Sequence, residues 1–230
     1  MSKILWLDES KDPNIVGQLG VSLAKVQSVG ARIAPGFIVP LEQKLEDGVS
    51  NEVLRAFDRL KTTNVVLRSS VNLADKETET IRDVKRNSLL DTISYMQANA
   101  HRRGRLVAII VQKDIDAEVS GTVHSINPVT MDKKEILIEA NLWMNPTVLS
   151  GESEPDMILL NKRTGMLSEE SNGEAEICLA PEQIAELHRV VRKIEKVFET
   201  PVSVDWGYDH GVLYILNARE ITKKTQEKFR

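Results

Sequence analysis

Apolar residues recur at helical spacing in several segments of this chain. From Ser50 to Leu60 an apolar residue falls every three or four positions and Ser50 can cap the first turn, so the pattern predicts an amphipathic helix. A longer apolar stripe begins at Pro181, a residue type favoured at the first helical position, and continues to Phe198. The predicted helices are residues 22–29, 50–60, 83–100 and 181–198.

Short apolar segments separated by turns rich in Asp, Asn, Pro and Gly dominate the second half of the chain, which is typical of antiparallel strands. This order of elements predicts an α+β protein with mainly antiparallel sheets in two lobes, residues 1–105 and 106–222, and a tail at 223–230. The predicted strands are residues 64–70, 106–112, 119–125, 135–140 and 157–161, followed by a hairpin.

The segment 202–219 predicts a β-hairpin. Asp209, His210 and Gly211 suit a three-residue loop with the glycine in the left-handed conformation. Such a loop pairs Tyr208 with Val212. We therefore expect the two strands to continue from that pair in regular antiparallel register.

In this register Asp205 lies opposite Ile215, and side chains alternate between the two faces of the hairpin. Asp205, Asn217 and Arg219 then share one face. A slip of one residue would separate them. The other face is predicted to be apolar and to consist of Val204, Trp206, Tyr214, Leu216 and Ala218.

Two interpretations of the polar face are open. Asp and Asn supply the hard oxygens that Mg²⁺ accepts alongside phosphate oxygens, and the Arg219 guanidinium can form two hydrogen bonds to a phosphate. This chemistry suits a nucleotide triphosphate. The same alternation also describes the solvated face of an edge hairpin, and the spacing alone favours that second interpretation.

Composition narrows the class of protein. The 230 residues are 41% hydrophobic and 28% charged, as in ordinary globular proteins, and the net charge of −4 argues against nucleic-acid binding. Cys178 is the single cysteine, so no internal disulfide can form and we expect a reducing, cytoplasmic location. The longest apolar runs have the length of strands, so we expect neither a membrane span nor a signal peptide.

Five groups of motifs occur in a familiar order along the chain. Together they resemble the N-terminal nucleotide-binding region of phosphoenolpyruvate synthase and pyruvate phosphate dikinase, which has an ATP-grasp fold. The likeness spans nearly residues 4–222, although 76–105 match poorly. The motifs are Gly17–Ala24 with Ala34–Val39, Val65–Ser70, Val119–Thr130, Leu149–Asp156, and Asp205-Trp206 with Tyr214–Thr222.

The resemblance implies a cleft between two lobes that binds ATP and Mg²⁺. By this likeness Asp205 and Asn217 fall on metal-ligand positions. Arg68 and Arg219 fall on positions that contact phosphate and support catalysis, and the hydroxyl of Ser69 stands beside Arg68. The resemblance further places Gln112 and Lys113 on the strand whose backbone meets adenine.

Several departures from the family weaken the expectation of catalysis. The lysine of the glycine-rich opening is replaced by Leu19, or by Gln18 if the alignment contains an insertion, and neither side chain is charged. The Glu-Asp pair of the family is replaced by Ala74-Asp75. No glycine occurs between Asp75 and Asn99, where the family has a flexible glycine-rich loop that covers the phosphates. Asp for Glu and Asn for Gln also shorten both metal ligands by one methylene.

Two functions remain open from the sequence, and they differ on whether the chain is an enzyme. The first is an ATP-dependent phosphotransferase of the dikinase or kinase type, which passes phosphate to a histidine or another acceptor. We expect that acceptor to be supplied in trans, because the 230 residues hold neither a carrier-histidine motif nor a substrate barrel. The second is a catalytically inactive module derived from the ATP-grasp fold, with a regulatory or protein-interaction role.

Overall fold

The protein divides into two compact units in the computed structural model, which describes residues 4–9, 12–41, 43–72, 78–142, 155–171 and 178–221. The first unit is Met1–Gln27 with Ala34–Ile115, and the second is Ser28–Ile33 with Asp116–Arg230. Ala74-Asp75, Trp143, most of the predicted motif 149–156 and the predicted tail lie outside the described residues.

The first unit is built on an antiparallel five-stranded sheet with the strand order β1-β2-β5-β3-β4. Its central strand β5 pairs with β2 on one side and β3 on the other. The elements are β1 (Leu5–Trp6), α1 (Pro13–Ser28), β2 (Gly36–Val39), α2 (Asp47–Arg59), β3 (Asn64–Ser70), β4 (Thr80–Lys85), α3 (Leu89–Arg102) and β5 (Ala108–Lys113).

Helices α2 and α3 supply the core that covers one face of this sheet. Val53 and Phe57 of α2 are buried in one cluster with Ile93 and Met96 of α3 and with alternate residues of β3 and β5 such as Leu67. This packing follows from the helical spacing of the apolar residues in both helices.

The second unit is an antiparallel six-stranded sheet with the order β11-β10-β6-β7-β8-β9 and one long helix. Antiparallel pairing allows one face to pack on the helix while the other carries polar groups. The elements are β6 (Val119–His124), β7 (Glu135–Leu142), β8 (Asp156–Asn161), β9 (Leu167–Ser171), α4 (Pro181–Phe198), β10 (Val202–Asp209) and β11 (Val212–Glu220).

Helix α4 covers one face of the second sheet. Its inward residues, including Leu187 and Ile194, are fully buried. The hydroxyl of Tyr208 on β10 donates to the carboxylate of Glu186 (2.9 Å), and burial raises the pKa of Tyr208 far above its ordinary value. Tyr208 therefore stays protonated and marks the face of β10 that packs on α4.

The structure confirms most of the predicted elements and revises others. Strand β3 and helix α4 have the predicted limits, whereas the segment predicted as one helix, 83–100, contains the end of β4 and most of α3. The first unit extends to Ile115 rather than to residue 105, because β5 pairs with strands of that unit. Among the described residues no helix is long and apolar enough to cross a membrane.

Gly121 provides a test of the second sheet. A Cβ atom at this position would lie 1.9 Å from the carbonyl oxygen of Glu139 on the neighbouring strand, so a side chain would force β6 and β7 apart. We expect Gly121→Ala to lower the free energy of unfolding by about 3 kcal/mol.

Gly104→Ala is the control, because Gly104 has a positive φ of 67° but open space around it. It should cost about 1 kcal/mol. Equal losses of stability in urea titrations would contradict this packing.

Candidate functional site

The hairpin of β10 and β11 turns through two residues, His210 and Gly211. Both have positive φ angles, 49° and 74°, as a type I′ turn requires, and Asp209 pairs with Val212. The predicted three-residue loop, with Tyr208 opposite Val212, is therefore wrong. Tyr208 instead pairs with Leu213.

A β-bulge shifts the pairing of β10 with β11 by one residue further along the hairpin. Trp206 pairs with Ile215 and the next residue back, Asp205, pairs with Asn217, so Leu216 is the extra residue on β11. The predicted pairing of Asp205 with Ile215 is wrong. Without the bulge, the two-residue turn would place Leu216 opposite Asp205 and send Asn217 to the other face. The bulge therefore brings Asp205 and Asn217 together.

The apolar face of the hairpin differs from the prediction for the same reason. Tyr214 pairs with Gly207, which puts it on the face of Asp205, and its ring lies 6.0 Å from the guanidinium carbon of Arg32. Tyr214 and Leu216 are half-buried. The buried apolar side chains of the hairpin are Val202, Val204, Trp206, Tyr208, Leu213, Ile215 and Ala218.

Asp205 is the centre of a polar cluster on the opposite face, which we call the Asp205 cluster: Asp205, Asn217, Arg219 and Thr122. Arg219 donates from Nη1 to Oδ2 (2.9 Å) and from Nη2 to Oδ1 (3.3 Å) of Asp205. Asn217 donates to Oδ2 (3.4 Å) and the Thr122 hydroxyl to Oδ1 (3.1 Å). The predicted trio therefore meets at one carboxylate.

The cluster is open to solvent. The Asp205 side chain is 28% exposed and that of Arg219 is 53% exposed. An ion pair at this exposure contributes at most about 1 kcal/mol to folding. Arg219 can therefore leave Asp205 for an incoming anion at small cost to the fold.

Further polar residues extend this face toward β7, and the prediction from sequence missed them. Thr122 lies between Asp205 on β10 and Glu139 on β7 in the ladder, and Glu139 Oε1 is 3.5 Å from Nε2 of the buried His124. Side chains alternate along β6, so strand periodicity alone predicts that Thr122 and His124 share one face. It does not predict that β6 pairs with β10 and β7, which is what brings these residues to Asp205 and Glu139.

The donor set of the cluster fits a hard cation bound together with phosphate. Asp205 offers carboxylate oxygens and Asn217 an amide oxygen, which are the ligand types of Mg²⁺. Within the described parts of the chain no three His, Cys, Asp or Glu side chains are grouped to hold a metal ion. A cation here would therefore take its remaining ligands from water and from the phosphates of a nucleotide.

Arg68 and Ser69 lie at the end of β3 in the first unit. Arg68 is half-buried. The Ser69 hydroxyl accepts a hydrogen bond from the N–H of Glu79 (2.8 Å), and the Ser70 hydroxyl donates to the carbonyl of Val16 (2.8 Å). These serines thus hold neighbouring segments against β3, which is a structural role that the sequence did not predict.

Gln112 and Lys113 end β5 in the same unit. The Gln112 side chain is fully buried and donates to the carbonyl of Ala34 (2.8 Å), while its Oε1 has no hydrogen-bond partner among the described residues. The backbone N–H of Lys113 donates to Pro35 (2.8 Å). An adenine contact at this position would therefore use a group other than that N–H.

The structure distinguishes the two residues that replace the expected lysine. Leu19 is buried in α1, whereas Gln18 is exposed and donates from its side chain to the carbonyl of Asn72 (3.2 Å). The kink at Gly17, with φ of 68°, separates both from the first turn of the helix. Neither side chain supplies a positive charge.

The two antiparallel sheets with their helices form an ATP-grasp fold. Residues 79–180 and 166–230 match the family described as pyruvate phosphate dikinase, AMP/ATP-binding domain. The chain belongs to this family. The expected relation to phosphoenolpyruvate synthase and the expected α+β class are thereby confirmed.

Curated relatives agree with the family. YvkC of Bacillus subtilis, described as an uncharacterized phosphotransferase, is 34% identical over 54% of this chain and 17% of its own length. A probable phosphoenolpyruvate synthase of Methanocaldococcus jannaschii is 23% identical over 96% of this chain and 27% of its own length. The chain thus spans less than a third of either relative.

Solved structures support the fold alone. D-alanyl-alanine synthetase A from Vibrio cholerae has a TM-score of 0.53 at 9% identity and covers 85% of this chain, which matches 52% of that structure. D-alanine–D-alanine ligase from Bacillus anthracis, complexed with ATP, has a TM-score of 0.50 at 12% identity over 90% of this chain and 54% of its own.

His210 in the hairpin turn provides a test of the local electrostatics. Its Nδ1 lies 3.1 Å from Glu118, and this hydrogen bond, with the charge of Asp209, raises the pKa of His210. A raised pKa means that protonated His210 stabilises the turn at low pH and that this contribution disappears as the pH rises through the raised value.

We expect an NMR titration to give His210 a pKa above its ordinary value of about 6.5. Glu118→Gln should lower that pKa, because it removes the charged acceptor. Glu182→Gln, a carboxylate at the start of α4, is the control and should leave the titration unchanged. An unaltered titration in Glu118→Gln would show that the contact is not formed.

Proposed function

We propose that this chain binds Mg-ATP through the Asp205 cluster and passes the terminal phosphoryl group to an acceptor supplied in trans. The convergence of Asn217, Arg219 and Thr122 on the carboxylate of Asp205 carries the proposal. Membership of an AMP/ATP-binding domain family supports the binding of a nucleotide. The relative YvkC, described as an uncharacterized phosphotransferase, supports phosphoryl transfer as the reaction class.

Each residue of the cluster has a role in this proposal. Asp205 and Asn217 would hold Mg²⁺, which neutralises phosphate charge when bound. Arg219 exchanges Asp205 for phosphate oxygens, because a guanidinium forms equally directional pairs of hydrogen bonds with either anion. Thr122 keeps the Asp205 carboxylate oriented while Arg219 is engaged elsewhere.

The family resemblance assigns further residues, and these assignments are part of the proposal. Arg68 is assigned to phosphate contact, with Ser69 beside it, and Gln112 and Lys113 lie on the strand assigned to adenine.

Phosphoryl transfer requires positioning more than covalent participation by the protein. The bond between the γ-phosphorus and the bridging oxygen breaks, and ADP leaves with the electron pair. A nucleophilic nitrogen or oxygen of the acceptor forms the new bond to phosphorus. Arg219 stabilises the negative charge during this exchange.

A second function is favoured by a specific observation. By the family resemblance, either Leu19 or Gln18 stands in place of a lysine, and because Leu19 is buried and apolar and Gln18 is neutral, one phosphate-neutralising charge is missing. A module that binds nucleotide without turnover, with a regulatory or protein-interaction role, fits this loss. The two functions share the Asp205 cluster and differ only in catalysis.

Calorimetric titration with Mg-ATP tests nucleotide binding at the Asp205 cluster, which both functions require. We expect saturable binding and a loss of affinity of about tenfold or more in Arg219→Ala, because a charge-assisted pair of hydrogen bonds is removed. Thermal stability should change little, since the Asp205–Arg219 pair is exposed. Arg189→Ala removes an exposed arginine of α4 and is the matched control. Equal affinities of the two variants would remove Arg219 from the site.

Turnover separates the two functions once binding is measured. The assay follows ADP and AMP formation from ATP with and without a cell extract as the source of acceptor. A phosphotransferase of the kinase type gives ADP and one of the dikinase type gives AMP, in either case dependent on the extract and with a labelled acceptor from γ-labelled ATP, and Asp205→Asn abolishes both nucleotide release and labelling. ATP binding with neither product would identify the non-catalytic module.

A further inference from the structure

A basic groove of about 860 Å³ lies at the C-terminal end of α4 in the second unit. It is bordered by the turn between β6 and β7, by the turn between β8 and β9, and by the last turns of α4. None of the residues of the Asp205 cluster lines it. The lining residues are Lys133, Lys134, Asn161, Lys162, Arg163, Arg192, Glu195, Lys196, Glu199, Thr200 and Pro201.

The charge of this groove is opposite to that of the whole chain. Six basic and two acidic side chains of the described residues line it, whereas the chain has a net charge of −4. Lys162 is neutralised by Glu195, whose Oε1 is 2.7 Å from its Nζ. The other five cations form no ion pair with any described residue, and they are Lys133, Lys134, Arg163, Arg192 and Lys196.

The framework of the groove is held in place by Glu195. Its carboxylate accepts hydrogen bonds from Lys162 and from the hydroxyl of Ser125 (2.9 Å), and the same hydroxyl accepts the N–H of Val202 (2.9 Å). The N–H of Lys162 also donates to the carbonyl of Lys134 (2.7 Å). The elements that carry the cations are therefore fixed relative to each other before any ligand binds.

Two further polar residues line the groove. The side chain of Asn161 accepts the N–H groups of Arg163 (3.1 Å) and Thr164 (3.0 Å), which fixes the turn that presents Arg163. Thr200 also lines the groove, in the short segment between α4 and β10.

The composition of the lining distinguishes among classes of anion. Among the described residues, no aromatic side chain lines the groove, and Pro201 is the single apolar one that does. A nucleobase or a protein partner would use aromatic or aliphatic anchors. Lysines and arginines without such anchors suit a compact anion of high charge density.

We propose that this groove binds a compact polyanion of the oligophosphate class. The site is separate from the proposed nucleotide site. Tyr208 shows that α4 packs on one face of the sheet, and the Asp205 cluster lies on the other. The ligand is held by Arg192 and Lys196 from α4, by Arg163 from the β8–β9 turn, and by the lysines of the β6–β7 turn.

The test is a calorimetric titration with inorganic tripolyphosphate in the Arg219→Ala background, with EDTA and without Mg²⁺. These conditions remove Arg219 and the metal ion from the proposed nucleotide site, and a loss of binding confined to the groove variant assigns the ligand to the groove independently of the function proposed above. The groove variant is Arg192→Gln with Lys196→Gln. The control is Arg189→Gln with Lys193→Gln, which removes the same charge from exposed α4 residues outside the lining.

We expect one saturable site that weakens at least about tenfold in the groove variant and changes less than about twofold in the control. Affinity should fall with added salt. No heat at millimolar tripolyphosphate in low salt, or equal losses in both variants, would overturn the proposal. Tighter binding of a poly-glutamate peptide of matched charge, lost in the groove variant, would also overturn it and identify a protein-docking surface.

Discussion

The single extra residue on β11 determines the chemistry of the hairpin. A type I′ turn of two residues suits the twist of antiparallel strands, and it fixes Asp209 opposite Val212. Continued without interruption, this register would put Asn217 and Arg219 on the face that packs on α4. The bulge at Leu216 reverses that alternation for the rest of the strand. The polar face exists because the turn and the bulge occur together.

The alternation of side chains along a strand also explains why Asp205, Asn217 and Arg219 were correctly predicted to share one face although the predicted register was wrong. The predicted loop was one residue too long and the bulge was absent from the prediction, so the pairing of Asp205 was displaced by two residues, from Asn217 to Ile215. A displacement by two preserves the face of every residue beyond the bulge. Between turn and bulge the displacement was one residue, which is why Tyr214 was assigned to the wrong face.

Other features depended on contacts that no local pattern encodes. The limits of β3 and α4 follow from clear periodicity and were predicted. Thr122, His124 and Glu139 join the polar face only because β6 and β7 pair with β10 in one sheet. The segment before α3 is polar and gives little periodic signal, so its division into β4 and a helix depended on pairing with β3.

The two units differ in how much of the family's chemistry they keep. The second unit has oxygen ligands and a guanidinium around Asp205, together with a separate basic groove. In the first unit the serines of β3 are used in local hydrogen bonds, and Leu19 is part of the interior. This contrast supports the proposal of retained nucleotide binding with altered or absent turnover.

The Asp205 cluster is proposed to bind the metal and phosphates of a nucleotide. NMR spectra recorded with Mn²⁺ and ATP test this proposal, because Mn²⁺ takes the same oxygen ligands as Mg²⁺ and broadens the signals of nearby amides. We expect selective broadening at Thr122, Asp205, Asn217 and Arg219, and its loss in Asp205→Asn. Unbroadened signals at these four residues, with broadening elsewhere or nowhere, would contradict it.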